Sequence, residues 1–302
     1  MKRLLPLLLL LAAAPFAFAW GEKGHYIVNE AATVALPSDM PHFFYKAYPE
    51  LIWLGYDPDR WKSGNFESLG AANDPDHFLD YEYVEGLKLP ESRYKFIDLM
   101  YTSGRLRKLG IHNSEAGFVP WRIAELAQTL QVHFRNWRFS TPNTSERAAI
   151  ERDIIHLAGI LGHYVGDSAN PHHATMNYNG WVWPPNTNNY AIDCGTHSRF
   201  ESNFVSHAVD VADVHPKVPA KTTLHTDYFQ TGLQSIKDSN ALLETIYRID
   251  RDGGFNPIGP PKKEGLEFAT DRLAAGATLL RDLWWSAWQN SAKAPPRRGS
   301  GD

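Results

Sequence analysis

The chain has 302 residues, a formal charge of −4 with histidine neutral, 13 histidines and one cysteine. So mild an acidity excludes a surface built to hold polyanions, and any attraction for phosphate has to be local. The single cysteine, Cys194, excludes an intrachain disulfide and leaves clustered His, Asp and Glu as the natural ligands for a metal.

Met1-Lys2-Arg3 precedes an apolar run from Leu4 to Pro15 and then Phe16-Ala17-Phe18-Ala19. A short basic head, an apolar stretch and an Ala-x-Ala end are the pattern of a secretory signal. The run is shorter than the ~20 residues that a bilayer span takes. Residues 1–19 therefore read as a cleaved signal of an exported protein, periplasmic or secreted. Losing Lys2 and Arg3 takes the formal charge from −4 to −6. The new terminus would be Trp20, in Trp20-Gly21-Glu22-Lys23-Gly24-His25. A free α-amino group has a pKa of about 8. As the neutral amine it can bind a metal, with the Trp20 carbonyl oxygen closing a five-membered chelate.

Two acidic pieces follow, Asp57-Pro58-Asp59-Arg60 and Asp76-His77-Phe78-Leu79-Asp80. Taken singly, such pieces are turns and solvated acids more often than ligands. Helical spacing then sets in: Ile123, Leu126, Ala127 and Leu130 share a face between Ile123 and Phe134. Ile150, Ile154, Leu157 and Leu161 share another between Glu146 and Gly166, with Thr144-Ser145 as its cap. Within the end of that helix lies His163-Tyr164-Val165-Gly166-Asp167, continued by Ser168-Ala169-Asn170-Pro171-His172-His173. His163 and Asp167, four apart, share a face. Gly166 and Pro171 are expected to end the helix and turn His173 back toward them. Imidazole and carboxylate both reach zinc at about 2.0–2.2 Å, so this set suits one or two ions.

The loop from Asn177 to Trp183 carries Tyr178, Trp181 and Trp183, and lies between ligand segments as a candidate wall of a cleft. Gly195-Thr196-His197-Ser198-Arg199-Phe200-Glu201 repeats the His-x₃-acid spacing, with Phe200 and Phe204 as an apolar face. Cys194 beside it is expected to be a buried loop residue. Pro184-Pro185 and the stretch Phe255 to Pro261 read as loops. A last helical pattern runs from Leu266 to Trp288, through Phe268, Leu273, Leu279, Leu280, Leu283 and Trp284. Alternating strand patterns are scarce. The expected organisation is one all-α domain over residues 20–291 with long loops, and a disordered tail over 292–302.

Together these pieces resemble the zinc-dependent phospholipase C and single-strand nuclease superfamily, whose members hold three zinc ions in an all-helical fold. The resemblance runs from Trp20 to about Asp210, with all four pieces in the same order. It implies that Trp20, His25 and Asp167 hold one zinc, with Asp167 bridging to a second held by Asp59, His77 and His163. It assigns the third to His173, His197 and Glu201. Asp57, Asp74 and Asp76 are neighbours that compete with Asp59 for its place. His172 and His156 are left as surface residues or partners of ligands. The implied reaction is hydrolysis of a phosphodiester by an activated water, with Asp59 orienting the nucleophile or taking its proton. The amino-terminal Trp-Gly-x-x-Gly-His looks like the nuclease branch. His-Ser-Arg-Phe-Glu looks like the phospholipase branch, where the last acid is Glu. The reading leans to phospholipase C acting on a phospholipid head group, as a monomer with transient contact to a membrane surface. The alternatives are an endonuclease on single-stranded DNA or RNA, and a non-catalytic zinc-binding module.

Overall fold

Five helices of more than twelve residues carry the architecture among the described residues: α1 (Gly21–Val34), α2 (Val119–Phe139), α3 (Ser145–Ser168), α4 (Tyr228–Asn240) and α5 (Lys263–Asn290). The computed structural model describes residues 20–293 except Asn65 and Trp183. The expected signal over 1–19, and the part of the expected tail beyond Lys293, lie outside the described residues. The fold is all-α. Among the described residues there is no strand, only an isolated antiparallel bridge between Leu79 and Gly117. No helix among them is long and apolar enough to cross a membrane.

The three helices expected from apolar spacing are present and extend beyond the predicted ends. α2 begins at Val119 with Pro120 in its first turn, where proline removes no bonded amide. α3 begins after Thr144, whose side chain accepts from the Arg147 amide at 3.2 Å. The other end of α3 departs from expectation. The helix runs through Gly166 and stops only after Ser168.

The reason lies in how α3 is packed. It lies against α1, α2 and α5, and every residue from Ala158 to Ser168 is buried. A helix buried all round is not amphipathic, so its apolar stripe widens into a full circumference. Gly162 lets α1 approach closely. A Cβ there would stand 1.9 Å from Oδ1 of Asn29, whose Nδ2 donates to the carbonyls of Leu51 at 2.6 Å and Gly159 at 3.1 Å. Gly166 serves the same contact one turn on, where a Cβ would stand 3.3 Å from His25 Nδ1. Glycine is kept here for room rather than as a helix stop. At the start of this buried stretch, Trp284 of α5 is fully buried, packs edge-on against Phe44 at 5.3 Å and donates to the Ala158 carbonyl at 3.1 Å.

Candidate metal centre

The close approach of α1 to α3 sets the first part of the site. His25 stacks on His163, with ring centroids 3.8 Å apart. Asp59 arrives on the short helix Asp57–Arg60, and His77 on the 3-10 turn Asp74–His77. His173 comes from the 3-10 turn Pro171–Ala174 that follows α3. His197 lies in the helical turn Thr196–Ser198, and Glu201 in the π-helical stretch Arg199–Phe204 that continues it. Phe200 and Phe204, fully buried, seat that stretch against the core. These seven histidines and acids are all buried, and so is Asp167 of α3, which makes eight.

Their ligand atoms form three groups, the first two sharing His163: His25, His163 and Asp167; Asp59, His77 and His163; His173, His197 and Glu201. Asp167 joins them. Its Oδ1 is 3.5 Å from His25 Nε2 and 3.9 Å from His173 Nε2. Its Oδ2 is 3.0 Å from His77 Nδ1 and 3.4 Å from His163 Nε2. Asp59 Oδ1 is 3.7 Å from His163 Nε2 and 3.9 Å from His77 Nδ1. In the third group His173 Nε2 lies 3.2 Å from His197 Nε2 and 3.3 Å from Glu201 Oε1, which His197 also meets. Ligands held tetrahedrally at 2.0–2.1 Å from one ion lie about 3.3 Å from each other, so these separations suit shared cations.

Backbone and amide contacts fix which nitrogen each ring presents. His163 Nδ1 sits on the Gly55 carbonyl at 2.9 Å, and His173 Nδ1 on the His77 carbonyl at 2.8 Å. The Asn73 amide meets His77 Nε2 at 3.2 Å, and Asn170 donates to Glu201 Oε1 at 2.6 Å. Such contacts orient metal-binding rings and carboxylates. Several atoms facing inward have no hydrogen-bond partner: both nitrogens of His25, Oδ2 of Asp59, Oδ1 of Asp167 and Oε2 of Glu201. Buried polar atoms are rarely left so, and cations would satisfy these.

The electrostatics agree. Burial pushes His25, His77 and His163 well below the ordinary histidine value, with neighbouring imidazoles and, for the latter two, Lys62 adding to it. Neutral imidazole is the metal-binding form. Burial pushes the Asp167 carboxyl well above its ordinary value despite His173, and Asp59 and Glu201 add to that. Burial works against charge on His173 and Glu201 too. There the mutual attraction wins: Asp167 and Glu201 lift His173 to about 9, and His197 with His173 lowers Glu201 to about 2. Three of the imidazoles are thus held neutral and the Glu201 carboxylate anionic, while Asp167 and His173 hold on to protons that a divalent ion of borderline hardness would displace.

The competing acids are sorted by their partners. Asp57 accepts from the Trp61 indole at 3.2 Å and faces Arg60 at 3.5 Å. Asp76 is buried on Arg93 at 2.8 Å, with Arg122 at 3.6 Å. Asp74 is exposed. Only Asp59 of these four is brought to His77 and His163. Trp20 is fully buried where α1 begins, its indole donating to the Gly166 carbonyl at 2.6 Å and its ring 5.2 Å from Phe200. A Cβ on the next residue, Gly21, would lie 3.5 Å from the Glu201 carbonyl, so the start of α1 is wedged against the third group.

Other expectations fare differently. Cys194 is exposed, not buried, because its loop lies on the surface. His156 is exposed on the outer side of α3, whereas His172 is buried beside His197 with its ring 5.3 Å away. Tyr178 is half exposed and touches His197 edge-on at 6.0 Å. Trp181 instead packs on Tyr190 and Tyr247, at 4.8 and 5.2 Å, and Trp183 lies outside the described residues. Lys62 was not foreseen. Its Nζ is 2.7 Å from Asp59 Oδ1. Burial opposes that ammonium, but Asp59 outweighs it and holds the Lys62 pKa above the ordinary value. An acid and a lysine three apart are too common on helices to single this pair out beforehand.

No protein-family model and no curated protein matches this chain. Among solved structures, the alpha toxin of Clostridium absonum is 13% identical with a TM-score of 0.46, the match covering 91% of this chain and 67% of the toxin. The alpha-toxin of Clostridium perfringens from avian strain SWCP is also 13% identical, with a TM-score of 0.36, covering 88% of this chain and 64% of the other. The chain thus spans about two thirds of the length of each of these two proteins.

Proposed function

We propose that this chain is an exported zinc-dependent phosphodiester hydrolase, and that its substrate is a phospholipid from which it releases a phosphorylated head group. The observation that carries the reading is the set of three donor groups joined through Asp167. Three zinc ions held there, with the amino group of Trp20 beside His25 and Asp167, would supply Lewis acidity toward water and toward the non-bridging phosphate oxygens.

The residues then divide the work. Asp59 has one oxygen on Lys62 and the other without a hydrogen-bond partner, so Oδ2 is free to take the proton of the attacking water. The Lys62 ammonium, 2.7 Å from Asp59, can donate to a phosphate oxygen at the same place. Burial keeps His77 and His163 neutral, and the Asn73 amide and the Gly55 carbonyl aim them. In-line attack breaks the bond from phosphorus to the glycerol oxygen, and the diacylglycerol leaves as its alcohol after taking up a proton.

The substrate reading rests on charge. The arginines around the site are engaged with acids: Arg60 with Asp57, Arg93 and Arg122 with Asp76, and Arg199 with Asp193 and Asp250. A polynucleotide draws most of its affinity from lysines and arginines that neutralise successive phosphates. A phospholipid offers one phosphodiester, which the donor groups and Lys62 can meet alone.

A second reading, cleavage of single-stranded nucleic acid, is favoured by Asp80. Its carboxyl is buried, makes no hydrogen bond or ion pair among the described residues, and is pushed well above its ordinary value by burial and by Glu82. A neutral carboxyl offers both a donor and an acceptor to the edge of an unpaired base, and Tyr178 offers a ring for stacking. The test is a parallel assay of protein beginning at Trp20 on short-chain phosphatidylcholine and on single-stranded DNA and RNA, with zinc counted. The proposal expects about three zinc ions per chain and faster release of phosphocholine than of nucleotides. Strong cleavage of DNA with no release from phosphatidylcholine would select the second reading, and one zinc or less would remove both.

A further inference from the structure

A groove of about 660 Å³ opens between α4 and α5, lined by none of the eight clustered side chains. Its floor includes Ala169, which caps α3, and Ser239 of α4. The floor is rigid: Ser168 Oγ bonds Ser235 Oγ at 2.9 Å, and Ser239 Oγ donates to the Ser168 carbonyl at 2.7 Å.

On the α5 wall stands Arg272, partly buried, with Leu279 further along the same wall. Its guanidinium makes no hydrogen bond, ion pair or ring contact among the described residues. Burial lowers its pKa, and Asp271 and Asp238 only partly offset that. The acids nearby are engaged elsewhere. Asp271 accepts from Lys217 at 2.6 Å, Asp238 from the Gln234 side chain at 2.8 Å, and Asp227 from the Gln230 amide at 2.9 Å as the cap of α4. A guanidinium with five donors and a half-buried place normally finds an acceptor. The opposite wall is of the other sign, since Asp227 and Asp238 mark the two ends of α4 along the groove. A plain anion would meet Arg272 at the expense of those two carboxylates. A molecule carrying both signs would not.

We propose that this groove binds a small organic zwitterion, its carboxylate or phosphate on Arg272 and its ammonium toward Asp238. Leu224, Ala275 and Leu279 add apolar surface to the groove that would cover a short alkyl link. This site does not depend on the hydrolase reading.

The test uses the whole protein labelled with ¹⁵N and follows the arginine Nε–Hε signals, with the Arg272 signal assigned by its loss in Arg272→Gln. The probes are 4-aminobutyrate and phosphoethanolamine, with butyrate as the comparison that lacks the cation. The expected result is a saturable shift of the Arg272 signal by both zwitterions, with butyrate binding at least several-fold more weakly. Asp238→Asn, at an exposed position, should weaken the zwitterions several-fold and leave butyrate unchanged. No saturable shift with either zwitterion would overturn the site. Butyrate binding as tightly as 4-aminobutyrate would overturn its zwitterionic character.

Discussion

Asp57 and Asp59 are two residues apart on one short helix, yet their surroundings give them opposite prospects. Asp59 faces inward, with Lys62 at 2.7 Å and His163 at 3.7 Å. Asp57 faces Arg60 and Trp61 near the surface. Asp59→Asn keeps the shape and removes the proposed proton acceptor. Hydrolysis should fall at least about a hundredfold, the lower end of what a general base contributes. Asp57→Asn should change it by less than about threefold, because an exposed ion pair is worth under ~1 kcal/mol. Rates measured on a soluble phosphodiester, with zinc content checked, decide between them; a reversed order would move the role to Asp57. The sequence alone left this choice open. The spacing of both acids to His77 is similar along the chain, and only the turn over Asp57–Arg60 decides which one is buried.

At the scale of elements, the contact between α1 and α3 is what brings His25 to His163 and Asp167. Gly162 is its closest point, and Asn29 is locked there by two carbonyls. Gly162→Ala must displace Asn29. Overpacking costs about 1–3 kcal/mol, and each lost bond of the Asn29 amide about 1 kcal/mol more. Denaturant unfolding should show a loss of about 3 kcal/mol, and a change below about 1 kcal/mol would mean that the helices part easily. The three long apolar patterns and the His-x₃-acid pairs were legible in the sequence because both follow the helical repeat. The end of α3 was not. Gly166 reads as a stop when only its own chain is considered, and its real cause is the side of α1 that presses on it. Cys194 and Trp181 failed for the same kind of reason, since a loop's exposure is set by neighbours far away in sequence.

For the whole molecule, the buried titratable groups set how stability varies with pH when no metal is bound. His25, His77, His163, His172 and His197 all sit below the ordinary value of about 6.5, chiefly through burial. Below that pH the unfolded chain takes up protons that the folded chain refuses, so stability falls as pH falls. Asp167 and Asp80, raised by burial, act in the other sense, as the folded chain keeps protons that the unfolded chain has lost. His173, lifted to about 9, also acts that way between about 6.5 and 9. The lowered histidines, with His225 also lowered by burial, outnumber the buried carboxyls that burial raises, Asp76, Asp80, Asp167 and Asp282, so the net effect on the acid side is a loss of stability as pH falls. On the alkaline side nothing opposes the loss. Melting temperatures of chelator-treated protein should therefore peak near pH 6.5 and decline on both sides. A steady rise to pH 9 would contradict the raised His173.

The same cluster also ties the chain to itself. Its side chains come from positions as far apart as His25 and Glu201, by way of Asp59, His77, His163 and His173. Ions that clasp them would close loops of many tens of residues, as cystine bridges do in many exported proteins. A chain with one cysteine has no other covalent-strength means of shrinking its unfolded ensemble. Its clasps can be opened by acid or by a chelator and are indifferent to reductants, so its durability would follow the supply of metal around the cell rather than the redox state outside it.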